Sequence, residues 1–119
     1  MSADPKVYLN EPERRPFTAT WRVIGGKWKG VIWWRLSNGL GRFGELQRAI
    51  PQVAKKTLTQ QLREMERDGI VHREVYPETP PRVEYSLTES GLSLGPVIEA
   101  MCVWGDGHLR ANGVLEART

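Results

Sequence analysis

Only one cysteine, Cys102, occurs in these 119 residues, so no internal disulfide can form. That fits a reducing cytoplasm. Cys102 sits among Met101, Val103 and Trp104, and reads as a buried, inert thiol. Histidine is almost as scarce. His72 and His108 stand far apart, and no Cys/His cluster has the spacing of a zinc site. No apolar run approaches the roughly 18 residues that span a bilayer, so no membrane association is expected. The first fifteen residues are polar and carry Asp4, Glu11, Glu13, Arg14 and Arg15, so no signal peptide is read there. No glycine-rich loop has a phosphate-binding context; Gly25-Gly26 reads as a helix break. Repeats and low-complexity tracts are also missing. These absences leave no catalytic residue, metal site or cofactor to assign, and no enzyme is expected.

What is present is an ordinary globular composition with an ordered charge. Hydrophobic residues at 39% and charged residues at 26% suit one small domain with a real core. Net charge is only +3, but its placement is uneven. Residues 1–35 carry 7 Lys/Arg against 3 Asp/Glu, and residues 83–119 carry 2 against 5. A basic front and an acidic tail suit a protein that shows one surface to phosphates. Scattered surface charge would explain the same numbers.

The chain divides into a tail over 1–15, a domain over 16–111 and a second tail over 112–119. Pro16 fits a first helical turn, and Phe17 to Val23 is read as a short helix. Lys27 to Leu36 is a second helix, with Trp28, Val31, Ile32 and Leu36 at helical spacing. Ser37 to Gly41 is a loop by composition. Arg42 to Ile50 is a third helix, broken at Pro51-Gln52-Val53. Ala54 to Asp68 is a fourth, stopping at Gly69. Leu58, Leu62 and Met65 at i, i+4 and i+7 give it a core face.

Ile70 to Tyr76 and Arg82 to Leu87 alternate with period two, which predicts a hairpin with one buried face. Its tip, Pro77 to Pro81, holds three prolines and cannot recruit another strand. Leu40 to Phe43 offers a third strand. Thr88 to about Arg110 is read as one helix capped by Thr88 and kinked at Pro96. Leu94, Val97, Ile98, Met101 and Trp104 line one side of it.

Helix, turn, basic helix and hairpin together form a winged helix-turn-helix. The fold class is α+β, mainly helical, with a two- to three-stranded wing sheet and additional N- and C-terminal dimerisation helices. This layout sets one helix at the depth and angle of a DNA major groove. The first ten residues of the fourth helix carry Lys55, Lys56 and Arg63 and no acid. The macrodipole disfavours bases at that end by about 0.3–1 kcal/mol per charge, and a phosphate partner reverses the sign. Lys55, Lys56, Thr59, Gln60 and Arg63 are therefore the candidate groove residues. Arg42, Arg73 and Arg82 are candidates for backbone contacts.

The apolar row on the last helix exceeds what so small a core can bury, and a second copy is its simplest cover. Phe17, Trp21, Leu94, Val97, Ile98, Met101 and Trp104 are the candidate dimer residues. The expected partners are double-stranded DNA, a second copy and a small-molecule effector. Gly30 beside Trp33 and Trp34 can leave a gap, which makes those indoles a candidate ligand pocket; tryptophans packed in a core are the simpler reading. A winged-helix protein–protein or assembly module without operator binding is the alternative function. The basic half-helix argues against it.

Ile24-Gly25-Gly26-Lys27-Trp28, Arg42-Phe43-Gly44-Glu45-Leu46, Leu58-Thr59-Gln60-Gln61-Leu62-Arg63-Glu64-Met65-Glu66-Arg67-Asp68-Gly69, Pro80-Pro81-Arg82-Val83-Glu84-Tyr85 and Leu87-Thr88-Glu89-Ser90-Gly91 resemble the HxlR-type bacterial transcription regulators. The resemblance covers about residues 16–108. It implies a homodimeric winged helix-turn-helix that binds operator DNA, with dimer contacts from both terminal helices. Two departures stand out. Many members carry a redox-sensing cysteine before the proline equivalent to Pro16, where this chain has Arg15. Members often start the recognition helix with Ser, where this chain has Ala54, which cannot cap.

Overall fold

The computed structural model describes residues 15–113. Nearly all of the two expected tails, 1–15 and 112–119, therefore lies outside the described residues. Helix α1 is Pro16–Ile24 and α2 is Lys29–Ser37. Helix α3, Phe43–Ala49, and helix α4, Lys55–Arg67, follow. Strands β1, Val71–Tyr76, and β2, Arg82–Leu87, form an antiparallel pair. A short α5, Glu89–Leu92, leads to a long α6, Gly95–Ala111.

The core forms where the helical apolar stripes meet. Ile32, Trp33 and Leu36 of α2 face Leu46 of α3 and Leu58, Leu62 and Met65 of α4. Ile50 and Val53 are buried in the α3–α4 turn, and the Val53 N–H donates to the Ile50 carbonyl at 3.1 Å. The turn is thus held by its own backbone and by the core beneath it. Helix α4 ends as its sequence predicts. Gly69 adopts φ +77°, a left-handed conformation that glycine takes without a Cβ penalty.

Trp33 ties the front of the domain to the back. Its indole N–H donates to the Gly91 carbonyl at 2.7 Å, in a buried setting. Gly91 has no room for a side chain, because a Cβ there would run into the Ile70 carbonyl. Thr88 caps α5 by accepting from the Gly91 N–H at 2.9 Å.

Three expectations need correction. The segment from Thr88 is two helices, not one kinked helix. The break falls at Ser93-Leu94, and Pro96 sits in the first turn of α6, where its missing N–H costs nothing. The third wing strand reduces to a single bridge, Arg42 to Glu84, with the Tyr85 N–H donating to the Gly41 carbonyl at 2.7 Å. The wing has no fully buried face either. Val71 is buried at its base, but Val75, which pairs with Val83, is exposed, because the hairpin runs out beyond the helices that could cover it.

Candidate nucleic-acid interface

Helix α4 turns Leu58, Leu62 and Met65 inward and leaves Lys55, Lys56, Gln60 and Arg63 exposed. Thr59 is half-buried, and its hydroxyl donates back to the Lys55 carbonyl at 2.9 Å. Among the described residues, Lys55, Lys56 and Arg63 have no ion-pair partner. The first turn of α4 holds no acid, and Ala54 at its N-cap makes no side-chain bond. Unopposed positive charge at a positive helix end is unfavourable in isolation. A polyanion in that position would relieve it.

The three candidate backbone arginines differ. Arg73 is exposed on β1. Arg42 precedes α3, where its backbone N–H donates to Glu45 Oε1 at 3.0 Å, and its Nε lies 3.6 Å from Glu84. Arg82 is already engaged. It pairs with Glu78 at 3.1 Å and with Glu84 at 3.6 Å, and it covers the Tyr76 ring. Sequence spacing identified the arginines but not their carboxylate partners, which the strand pairing and the tip bring together.

A second charged group was not legible in the sequence. Lys29, in the first turn of α2, is buried, and its Nζ lies 2.9 Å from Glu64 Oε1 on α4. The same ammonium donates to the Arg22 carbonyl at 3.3 Å. The other Glu64 oxygen accepts from Gln60 Nε2 at 3.2 Å. Lys29, first among these partners, and then Gln60 hold the Glu64 carboxyl below the usual carboxylate range. The only sequence signal was a lysine at a helix start, where the dipole disfavours it; nothing local linked it to an acid 35 residues on.

A separate surface of the molecule is apolar. A groove of about 1000 Å³ runs between α1, α2 and α6, walled by Trp21, Trp33, Trp34, Met101 and Cys102. A Cβ added at Gly30 would meet open space. Of the two indoles predicted to frame a pocket, Trp33 is buried with its N–H occupied and Trp34 is exposed. Phe17 and Trp21 stack in parallel at 6.5 Å, both exposed. On α6, Ile98 turns into the chain's own core, and Leu94 just before the helix packs against that core, while Val97, Met101, Val103 and Trp104 stay exposed. Cys102 is exposed too, contrary to the buried thiol expected, because α6 docks on the body mainly through Ile98 and leaves its other faces open.

Residues 23–112 match the HxlR-like helix-turn-helix family. This chain belongs to that family. It is a helix-turn-helix transcriptional regulator. Among curated proteins it is similar to YybR of Bacillus subtilis (strain 168), named an uncharacterized HTH-type transcriptional regulator, at 45% identity over 98% of this chain and 97% of that one. Among solved structures it resembles the redox regulator HypR. The reduced form superimposes with a TM-score of 0.78 at 47% identity, over 84% of this chain and 99% of that one. The oxidized form gives 0.72 at 51% identity, over 77% and 95%. No helix among the described residues is long and apolar enough to cross a membrane.

Proposed function

We propose that residues 16–111 act as the DNA-binding unit of a homodimer that reads an inverted-repeat operator. The observation that carries this is the presence of two distinct exposed surfaces, one basic and one apolar. Unpaired Lys55, Lys56 and Arg63 cover one side of α4, while exposed Phe17, Trp21, Val97, Met101 and Trp104 mark the terminal helices. Apolar area of that kind on a small domain calls for a protein partner. A two-fold copy would present two α4 helices about one turn of DNA, ~34 Å, apart or a multiple of it.

In this reading, Gln60 and Arg63 touch base edges and Lys55 and Lys56 touch phosphates. Thr59 lies at the flank of the groove. Arg42, Arg73 and Arg82 reach the backbone, and Arg82 must exchange carboxylates for phosphates to do so. A small-molecule effector would act through the apolar groove, by altering the fit of the two copies beside Trp33 and Trp34. Thiol sensing at the N-terminal position does not carry over from a redox regulator, since residue 15 is arginine.

The test joins two measurements. Selection of bound duplexes should return an inverted repeat, and Gln60→Ala or Arg63→Ala should cost about 1–3 kcal/mol at one position in each half-site. Sedimentation should give a dimer at micromolar concentration, and Met101→Glu should give monomers or aggregates that lose operator binding. A monomer that holds its operator tightly would refute the dimer. Equal weakening at all sequences would refute the assignment of base readers.

A further inference from the structure

We infer that Glu64, anchored by Lys29, orients the Gln60 amide and thereby selects the base that Gln60 reads. The inference rests on the proposed role of Gln60 at a base edge. Lys29 and Glu64 touch no base in this scheme; they are positioning residues.

The argument begins with the buried cation. Lys29 is only 6% exposed, and a lysine so placed needs a counter-charge. Glu64 Oε1 supplies it at 2.9 Å, and the Arg22 carbonyl takes a second ammonium hydrogen at 3.3 Å. These bonds hold Glu64 in place from below. A free side-chain pair one turn apart on a helix surface fluctuates and contributes little. Here one member is fixed by a neighbouring helix, so the other is organised before DNA arrives.

The second oxygen then acts on Gln60. An ionised carboxylate only accepts hydrogen bonds, so it must face the amide NH2 and not the amide oxygen. Gln60 Nε2 donates to Glu64 Oε2 at 3.2 Å. The turned-over amide would set two acceptors against each other. What remains free on Gln60 is its oxygen and one N–H. That acceptor–donor pair matches the N6–H donor and N7 acceptor of adenine in the major groove. A neutral amide at position 64 could donate as well as accept, and Gln60 could then turn over.

The experiment uses the full chain and selection of bound duplexes from a random-sequence pool, with wild type, Gln60→Ala, Glu64→Gln and the double variant Q60A/E64Q. Wild type should prefer adenine at one position in each half-site. Gln60→Ala should lose that preference by roughly tenfold. Glu64→Gln should lose most of the preference at the same position and none elsewhere, and the double variant should be no worse than Gln60→Ala. A Glu64→Gln protein that melts earlier but keeps the wild-type preference overturns the inference and leaves Glu64 as a packing pin. If Gln60→Ala shifts no position, the base-reader role itself has failed, and the inference falls with it. If Glu64→Gln does not fold, Lys29→Met with Glu64→Leu removes both charges without stranding either. That protein should show the same loss, and an intact adenine preference in it overturns the inference.

Discussion

The guanidinium of Arg82 lies over the ring of Tyr76, 4.1 Å from its centroid, while its nitrogens meet Glu78 and Glu84. Arg42 approaches the same Glu84 oxygen from the start of α3. Two of the three candidate backbone arginines thus share one carboxylate, and the third, Arg73, has no such partner among the described residues. Glu84→Gln should strengthen binding to random duplex DNA and steepen its dependence on salt. Arg73→Ala should flatten the log–log slope by nearly one unit. An unchanged slope for Arg73→Ala would place the wing away from DNA.

Glu64 makes stability depend on acid. Its folded pKa is depressed, chiefly by the hydrogen bond from Lys29 and then by that from Gln60. An unfolded glutamate titrates near ~4.3, so the unfolded chain binds more protons as the pH approaches that value. The contribution is therefore complete at neutral pH and is lost as pH falls through the folded value. Denaturant midpoints for wild type should drop more steeply below about pH 5 than those of Glu64→Gln. At neutral pH the variant should be less stable, because Lys29 stays buried without its counter-charge. Parallel acid limbs for the two proteins would show that the pair contributes nothing.

Two helix starts predict opposite responses. Ala54 leaves α4 without a side-chain cap at φ −69° and ψ 148°, a conformation in which serine can cap. Ala54→Ser should stabilise the domain by about 0.5–1 kcal/mol. Thr88→Ala should destabilise it by about 1 kcal/mol or more, since the Thr88 hydroxyl both caps α5 and donates to the Gly69 carbonyl at 2.5 Å. Thermal melting of both variants reads the signs directly.

Cys102 reports on the proposed dimer. The thiol is exposed in the single chain and borders the apolar groove. Labelling by a thiol reagent should be slow at concentrations where the dimer forms and faster in Met101→Glu. Equal labelling rates, with dimer and monomer confirmed by sedimentation, would put the contact elsewhere on the molecule.

Residue order alone carried helix α4. The spacing of Leu58, Leu62 and Met65, the break at Pro51 and the stop at Gly69 are local signals, and each corresponds to an observed face, turn or cap. Thr88 announced its own helix start for the same reason, because capping is settled within four residues. Tertiary structure decided everything that depends on distant partners. It paired Lys29 with Glu64, committed Arg82 to Glu78 and Glu84, and left exposed a Cys102 thiol whose apolar neighbours in sequence had suggested burial. It also placed Pro96 at the start of a new helix, since the Trp33–Gly91 bond and the close approach of Gly91 to Ile70 fix α5 against the body before α6 begins. Periodicity records which side of an element is apolar, but the partner of a charge or a proline's place in a turn depends on what the fold brings alongside it.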